Sequence, residues 1–197
     1  MSKVLMFAGP NGSGKSTITS KIKICGNYIN ADVIKSHLNC TDLEAAQNAE
    51  ATREYHLSKG EDFTFETVLS TERNINLIKR AKAQGYNVVC IYVLTANPKI
   101  NLERVRKRVE NGGNTAPEDK IFPRYVRALR LIPLLFPICD ELYIFDNTKE
   151  ASECDNNLIV TSIHGNISIY PNDIWSQDML KSLLSGTYPD DYIVGNI

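Results

Sequence analysis

Short apolar runs alternate with amphipathic stretches along most of the chain. Five runs are apolar enough to be buried strands, and they lie at Val4–Ala8, Tyr28–Ala31, Phe63–Val68, Val88–Leu94 and Leu142–Phe145. Strands separated by helices pair in parallel through right-handed crossovers, and helices then cover both faces of the sheet. The pattern predicts an α/β fold with a central, mainly parallel five-stranded sheet and helices on both sides.

Two of the intervening helices have ends that can be recognised in the sequence. Thr41 and Glu44 have the spacing of a capping box, which opens a helix running towards Ser58. Asn97-Pro98 starts another helix, and the paired glycines Gly112-Gly113 end it.

The last part of the chain has a different pattern. Leu158–Ile163 and Ile167–Tyr170, separated by a short turn, predict an antiparallel β-hairpin. A helix around Ile174–Leu184 follows, and its spacing predicts that Trp175, Met179 and Leu183 are buried. Because no linker or internal repeat interrupts the sequence, we expect residues 1–197 to form a single domain.

Composition and charge narrow the class of protein. The chain of 197 residues is 43% hydrophobic and 23% charged, as in ordinary soluble globular proteins. Its net charge of −1 argues against broad non-specific binding to nucleic acid or to an anionic membrane. The longest apolar runs, about eight residues, are too short to span a bilayer, and the apolar run at the N-terminus is too brief for a signal peptide. We therefore expect a cytoplasmic protein without membrane contacts.

The thiols and imidazoles do not form a recognisable site. Five cysteines, widely spaced and without a Cys-x-x-Cys pair, predict reduced thiols rather than a disulfide framework or a zinc site. The three histidines, at positions 37, 56 and 164, are isolated, and we interpret them as structural.

The strongest chemical signal is a phosphate-binding loop directly after the first strand. Gly9–Ser16 matches the pattern G-x-x-x-x-G-K-S in full, and a helix-compatible segment, Thr17–Ile24, follows it. Its glycines allow several backbone N–H groups to surround a phosphate. Lys15 is expected to reach the β- and γ-phosphates, and the Ser16 hydroxyl to ligate Mg²⁺. The residues predicted to bind the nucleotide are Gly9, Pro10, Asn11, Gly12, Ser13, Gly14, Lys15, Ser16 and Thr17. The motif predicts a P-loop NTPase.

Acidic residues at the ends of two strands are candidates for the chemistry. Asp32 follows the second strand, at the edge where parallel α/β sheets bind their ligands. It is a candidate general base that accepts the proton of an attacking hydroxyl, or alternatively the cap of a helix starting at Val33. Glu66 and Thr67 end the third strand at the same edge, where Glu66 either contacts substrate or magnesium-bound water, or is only a solvated strand end. The chain lacks the Asn-Lys-x-Asp motif with which GTPases recognise guanine, which disfavours that class.

A basic region follows the fourth strand. Leu102, Val105 and Val109 form the apolar stripe of its first helix, whereas Arg104 and Arg108 share another face. Lys120, Arg124 and Arg127 recur at helical spacing beyond the glycines. Arginines that close over a γ-phosphate suit phosphoryl transfer, and the alternative is a solvated basic surface.

Together these residues resemble the zeta toxin family of P-loop kinases. The similarity rests on the loop Gly9–Ser16, on Asn30–Ile34, on Phe65–Ser70 and on Arg104–Gly113, followed by Pro117 and Arg124-Tyr125. In order and spacing these segments span roughly residues 4 to 130. The resemblance implies a nucleotide-kinase-like sheet, ATP with Mg²⁺, and transfer of the γ-phosphate to a hydroxyl. Zeta toxins phosphorylate UDP-N-acetylglucosamine and are held inactive by an antitoxin protein.

The resemblance also assigns roles by position. It implies that Lys15 binds phosphate, that Asp32 is the catalytic base and that Glu66 and Thr67 contact the substrate. Arg108 and Arg124 match the phosphate-binding arginines of the family. Pro123 departs from the family pattern, and because proline disfavours a helix interior we expect a kink or a new helix start there.

Four interpretations follow from the sequence. The first is an ATP-dependent kinase of a small hydroxyl-bearing molecule, with UDP-N-acetylglucosamine or a related nucleotide sugar as the favoured acceptor and an antitoxin as a possible partner. The others are a kinase of a different small molecule, a kinase of polynucleotide ends and a nucleotide-binding regulatory module with little catalysis. The balanced charge and the lack of an extended aromatic and basic track disfavour nucleic acid as a partner.

Overall fold

A computed structural model of the protein describes residues 1–149 and 157–187. The strands are Lys3–Ala8 (β1), Asn27–Ile29 (β2), Phe63–Thr67 (β3), Asn87–Leu94 (β4), Glu141–Asp146 (β5), Asn157–Ile163 (β6) and Asn166–Ile169 (β7). They form one sheet in the order β2-β3-β1-β4-β5-β6-β7. The pairs from β2 to β5 are parallel, as predicted, and β5-β6 and β6-β7 are antiparallel.

The prediction of a five-stranded sheet with a separate hairpin is wrong in its strand count. The hairpin itself is confirmed, but its first strand continues the main sheet by pairing along β5, from Glu141 opposite Ile163 to Asp146 opposite Asn157. Without β6, β5 would have an unpaired edge in the described sheet, and the hairpin supplies its hydrogen bonds. The sheet therefore has seven strands.

Seven α-helices and one short 3₁₀ helix accompany the sheet in the described residues. The α-helices are Lys15–Thr19 (α1), Ala31–Leu38 (α2), Asp42–Lys59 (α3), Arg73–Ala83 (α4), Pro98–Glu110 (α5), Glu118–Arg130 (α6) and Gln177–Ser185 (α7). The 3₁₀ helix is Ile132–Leu135. The predicted capping box at Thr41 is present at the start of α3, and Asn97 caps α5 as predicted.

The first helix and the second strand are shorter than predicted. α1 ends at Thr19 rather than continuing to Ile24, because the chain turns back to the sheet: the Cys25 N–H donates to Thr64 Oγ1 at 2.9 Å. β2 ends at Ile29, since the Asn30 side chain caps a helix that already begins at the next residue.

Two predictions about the basic helices also need correction. α6 begins at Glu118 and continues through Pro123, so no new helix starts there, and the predicted kink stays a prediction; burial of Ile121, Tyr125 and Leu129 on the opposite face holds the helix against the protein. In α5 Val109 is 43% exposed and does not belong to the apolar stripe. Asn101 is fully buried instead, between Pro98 and Val105 on the inner face of the helix.

The hydrophobic core lies on both faces of the sheet. Alternate residues of β1 belong to two buried clusters, Met6 to the larger one and Phe7 to the smaller one. The tail packs into the larger cluster: Trp175 and Leu183 are buried as predicted, whereas Met179 is only partly buried and Leu180 is fully buried. Trp175 precedes α7, which starts at Gln177 rather than Ile174.

The core brings the ends of three strands together. Ala8, the last residue of β1, lies opposite Thr67 of β3 and Tyr92 of β4. The loop after β1 therefore leaves the sheet beside the carboxyl end of β3, where parallel α/β sheets bind ligands.

Other sequence predictions concern thiols and membranes. Cys25, Cys40, Cys90 and Cys139 are free, as predicted, and Cys154 lies outside the described residues. Within the described part of the chain, no helix combines the length and the apolar character that crossing a membrane requires.

Candidate active site

Two glycines shape the loop Gly9–Ser16 through their backbone angles and their close packing. Gly12 has φ +74°, and a Cβ atom there would lie 2.4 Å from the Asn101 carbonyl oxygen. Gly14 has φ +93°, and a Cβ atom there would lie 2.0 Å from Asn147 Nδ2. Glycine is therefore needed at both positions for the backbone angle and for the close packing.

Two asparagines hold this loop from behind. Asn101 Nδ2 donates to the Asn11 carbonyl at 2.6 Å, and its Oδ1 accepts a hydrogen bond from the Thr95 hydroxyl. Asn147 Nδ2 donates to the Ser13 carbonyl at 2.8 Å. Sequence reasoning missed both residues, although Asn101 had one signal: it lies at helical spacing between positions that α5 buries.

Lys15, the first residue of α1, is directed back onto the loop. Its Nζ donates to the carbonyls of Gly9 and Pro10 at 2.8 and 3.0 Å. Burial of the ammonium group lowers the pKa of Lys15 to about 8, with Arg108 adding to this effect, while Glu66 and Asp32 oppose it. Lys15 thus lies within electrostatic range of Asp32, Glu66 and Arg108, which the sequence predicted as site residues.

A cavity of about 470 Å³ lies in front of the loop, and we call it the central cavity. On one side it is lined by Asn11, Gly12 and the segment from Gly14 to Thr17. The predicted nucleotide-binding residues Gly9, Pro10 and Ser13 belong to the loop but do not line the cavity. Across the cavity lie residues of α2, α3, β3, α4 and α5, including Asp32, Glu66, Thr67 and Arg108.

Asp32 lies in the first turn of α2 and does not cap it. The cap is Asn30, whose Oδ1 accepts a hydrogen bond from the Asp32 backbone N–H at 2.8 Å. The alternative that Asp32 caps a helix starting at Val33 is therefore wrong. Its carboxylate lines the central cavity and acts electrostatically on Lys15.

Glu66 is fixed by hydrogen bonds at the end of β3. Its Oε1 accepts from the Tyr28 hydroxyl at 2.5 Å and from the Thr19 hydroxyl at 3.0 Å. Asn30 Nδ2 donates to the Tyr28 hydroxyl at 3.0 Å. A chain of hydrogen bonds thus joins Glu66, through Tyr28 and Asn30, to the backbone of Asp32, and it was not expected from the sequence.

Thr67 is the neighbour of Glu66 in the cavity wall. Its Oγ1 accepts hydrogen bonds from the Leu69 N–H at 3.0 Å and from Asn74 Nδ2 at 2.8 Å. Both acceptor positions of the hydroxyl are then used, and its proton remains available to a bound molecule. Leu69, with φ +52°, is a buried non-glycine residue in the left-handed region, which shows how tightly this turn is held.

The basic helices contribute two arginines to the central cavity. Arg108 lines it, and within the described residues its buried Nε has no hydrogen-bond partner. Arg104 also lines it and donates to the carbonyls of Asn147 and Thr148, at 2.7 and 3.4 Å. Arg124 is half-buried on α6 and is not part of the cavity wall, so its predicted role remains a prediction.

These features suit a nucleotide polyphosphate with its metal ion. The glycine cradle, Lys15 and the unpartnered Arg108 offer donors and positive charge to phosphate oxygens. Among residues 1–149 and 157–187, no group of three or more His, Cys, Asp or Glu side chains has the arrangement of a metal site. Mg²⁺ at phosphates needs only one or two protein ligands, and the Ser16 hydroxyl in the cavity wall is suited to that role.

Comparison with known proteins agrees with this architecture. A family model described as Zeta toxin matches residues 27–173. An uncharacterized protein of Haemophilus influenzae is 30% identical over 129 residues, which are 62% of this chain and 92% of that protein.

Two solved structures share the fold at lower sequence identity. The AvrRxo1-ORF1:-ORF2 structure with ATP superimposes with a TM-score of 0.71 at 17% identity, covering 94% of this chain. This chain spans only 64% of the length of that chain. A structure from the PezAT toxin-antitoxin system of Streptococcus pneumoniae has a TM-score of 0.52 at 16% identity and covers 95% of this chain and 86% of that one.

Proposed function

The chain belongs to the zeta toxin family, and from this membership and the central cavity we propose that it is an ATP-dependent kinase of a small hydroxyl-bearing molecule. The single observation that carries the proposal is that one cavity joins the phosphate-binding loop to Asp32. A regulatory nucleotide-binding module with little catalysis has no need of a carboxylate that accepts a proton from an acceptor hydroxyl.

In this function each residue has a defined task. The loop amides and Lys15 bind the β- and γ-phosphates, and the Ser16 hydroxyl would hold Mg²⁺, which would neutralise phosphate charge. The oxygen of the acceptor hydroxyl attacks the γ-phosphorus, its proton passes to the Asp32 carboxylate, and ADP leaves as the bond to the β-phosphate oxygen breaks. Arg108 stabilises the charge that spreads over the transferred group.

The residues suited to binding the acceptor molecule are Glu66, Thr67 and Asn74. All three residues line the central cavity, and their carboxylate, hydroxyl and amide groups match the donors and acceptors of a sugar. Because the family resemblance also implies such a molecule, a nucleotide sugar, with UDP-N-acetylglucosamine first, is the proposed acceptor.

An antitoxin is the proposed protein partner. The pneumococcal structure that shares the fold comes from a system described as toxin-antitoxin, and the AvrRxo1 structure contains ORF1 with ORF2. We infer by this analogy that a partner protein controls the present chain.

The test is a phosphotransfer assay with labelled ATP and Mg²⁺ on a panel of acceptors. The panel should include UDP-N-acetylglucosamine, other nucleotide sugars, nucleosides, aminoglycosides and oligonucleotides with free 5′ ends. We expect labelled product from a small hydroxyl-bearing acceptor and a loss of product in Asp32→Asn. Labelling of oligonucleotides alone would favour a polynucleotide kinase, and ATP binding without transfer to any acceptor would favour the regulatory module.

A further inference from the structure

Arg53 is a buried arginine that lines the central cavity, and the proposed reaction assigns no role to it. It lies on the inner face of α3 with only 8% of its surface exposed. Its guanidinium carbon lies 5.2 Å from the centroid of the Phe65 ring, and the side chain lines the central cavity. Within the described residues, its buried Nε has no hydrogen-bond partner.

The charge of Arg53 is not neutralised by a direct ion pair. The neighbouring carboxylates of α3 are paired elsewhere: Glu50 accepts from Arg73 at 3.0 Å, and Glu54 forms a bidentate pair with Arg80. Across the described ranges 1–149 and 157–187, no carboxylate lies within ion-pair distance of Arg53. Burial accordingly lowers the pKa of Arg53, with Glu50 and Glu54 opposing the effect at longer range. A buried cation without an ion-pair partner is costly even when it lies over an aromatic ring, and this is the arrangement expected where an anion binds.

The helix surface in front of Arg53 leaves room for that anion. Ala46 and Ala49 also line the central cavity, and with Arg53 they follow helical spacing along one face of α3. Their methyl groups occupy little volume, so a bound molecule can extend along the helix towards the guanidinium.

Arg53 and the pair Arg104 and Arg108 lie on helices on opposite sides of the phosphate-binding loop. α3 leads into β3, which pairs with one edge of β1, whereas α5 with Arg104 and Arg108 follows β4 on the other edge. The phosphate-binding loop leaves β1 between them. The cavity therefore has cationic groups on both sides of the loop, and Arg53 packs on Phe65 of β3, the strand that ends with the proposed acceptor residues Glu66 and Thr67.

We propose that Arg53 binds a phosphate group of the acceptor, so that the enzyme selects hydroxyl compounds that carry a phosphate ester or a diphosphate over neutral ones. This inference rests on the proposed kinase function for the identity of the bound molecule. The anion site itself is independent of turnover and is tested separately.

The first test measures anion binding without chemistry. Inorganic phosphate is titrated into the protein saturated with Mg²⁺ and a non-hydrolysable ATP analogue, which occupies the loop, and binding is followed by calorimetry. Arg53→Met keeps the apolar contact with Phe65 and removes the charge. Because a hydrogen-bonded charge is lost, phosphate affinity should fall roughly tenfold to a hundredfold, and Arg53→Lys should restore part of it.

Lys59→Met is the matched control. Lys59 lies on the same helix, is exposed, and its ammonium group lies 5.8 Å from the centroid of the Tyr55 ring, outside the central cavity. This variant has the same change in charge and should bind phosphate like the parent. Equal phosphate affinity in Arg53→Met and the parent, or no binding by the parent, overturns the proposal.

A second measurement uses the unmodified protein, so that it does not depend on the variants folding. In the NMR spectrum the Nε–H signal of Arg53 should shift on addition of phosphate, and that of the exposed Arg73 should not. An unchanged Arg53 signal at phosphate concentrations that saturate the protein contradicts the proposed site.

A third measurement distinguishes the source of the phosphate and separates the two proposals. N-acetylglucosamine, its 1-phosphate and UDP-N-acetylglucosamine are compared as acceptors. Arg53→Met should raise KM for whichever phosphorylated compound is used, with little change for the neutral sugar. If Arg53→Met raises KM for the neutral sugar equally, Arg53 does not select acceptors by their phosphate group. If none of the acceptors is phosphorylated, the kinase assignment for these sugars fails, while the calorimetric and NMR results still decide the anion site.

Discussion

Asn30 Oδ1 accepts a hydrogen bond from the backbone N–H of Asp32 at 2.8 Å. Asn30 therefore caps α2, and the carboxylate of Asp32 remains free to line the cavity. This separation of tasks is useful experimentally. Substitution of each residue tests a different property of the protein.

Asp32→Asn should abolish most phosphotransfer while leaving ATP binding nearly intact. The amide keeps the size of the side chain but removes its basicity, and loss of a general base typically costs about 10²–10⁴-fold in rate. ATP affinity should stay within a few-fold, because the triphosphate is held by the loop. Turnover and binding of an ATP analogue, measured on the same preparation, check both expectations.

The matched control is Asn30→Ala. Loss of an N-cap costs about 1 kcal/mol of unfolding free energy, and this variant also loses the hydrogen bond from Asn30 Nδ2 to Tyr28. It should therefore be less stable than Asp32→Asn and retain more activity. Full transfer activity in Asp32→Asn would exclude Asp32 as the base.

Arg108→Ala should lower turnover more than it weakens ATP binding. Its guanidinium lines the central cavity with an unpartnered Nε, so a transferred phosphoryl group can use it as charge develops. Loss of one such donor costs about 10²–10³-fold in kcat. Comparison of kcat with the Kd of the ATP analogue checks this prediction, and a loss confined to thermal stability would contradict it.

Arg124→Ala tests whether α6 closes over the site. Arg124 lies outside the cavity wall, so it contributes to catalysis only if α6 moves towards the nucleotide. We expect lower turnover in Arg124→Ala as well, with a smaller effect than in Arg108→Ala. Unchanged kcat would show that this arginine belongs to a solvated surface.

Asn101→Ala should destabilise the phosphate-binding loop, although Asn101 lies outside the loop on α5. The substitution leaves the Asn11 carbonyl without its donor and the buried Thr95 hydroxyl without its acceptor. Such losses cost about 1–3 kcal/mol of unfolding free energy, and ATP affinity should fall with them. Chemical denaturation and titration with the ATP analogue measure the two effects.

The control for this variant is Asn111→Ala. Asn111 follows the same helix, is exposed, and its Nδ2 also donates to a carbonyl, that of Lys107 at 2.8 Å. Because water can replace that bond, the change should stay within about 0.5 kcal/mol. Equal destabilisation by the two substitutions would mean that Asn101 has no special role at the loop.

The sequence predicted those parts of the site whose chemistry is local or follows from strand ends. The loop Gly9–Ser16 is a continuous motif, and Asp32 and Glu66 follow strands whose carboxyl ends meet at one edge of a parallel sheet. The same reasoning predicted the hairpin near the end of the chain, because alternation and a turn are local signals.

What the sequence did not predict depends on contacts between distant segments. Asn101 lies 90 positions from its partner Asn11, and Asn147 lies 134 positions from Ser13. The hairpin joins the sheet because β6 pairs with β5, and a contact between separate strands is not a local signal in the sequence. Arg53 was missed because α3 carries many charged residues, and only the tertiary packing shows which one is buried.

The pH dependence of ATP binding is the sharpest test of the electrostatics at the loop. Without nucleotide the pKa of Lys15 is about 8, mainly because its ammonium group is buried. Phosphate oxygens favour the charged form, so nucleotide binding raises this pKa. Below about pH 8 the lysine is protonated in both states and affinity should be nearly constant. Above that value binding must take up a proton, and the affinity should fall by up to about tenfold per pH unit.

Stability without nucleotide should change in the opposite direction. The pKa of Lys15 is lowered from 10.5 in the unfolded chain to about 8 in the folded one. Between these values the unfolded state binds more protons, so the Lys15 contribution to the unfolding free energy should rise with pH.

Lys15→Arg is the control for both pH dependences, because a guanidinium stays protonated throughout this range. Calorimetry of ATP-analogue binding between pH 7 and 10, in buffers of different ionisation enthalpy, measures affinity and proton uptake together. Proton uptake that persists in Lys15→Arg, or that is missing in the parent above pH 8, would show that Lys15 is not the titrating group.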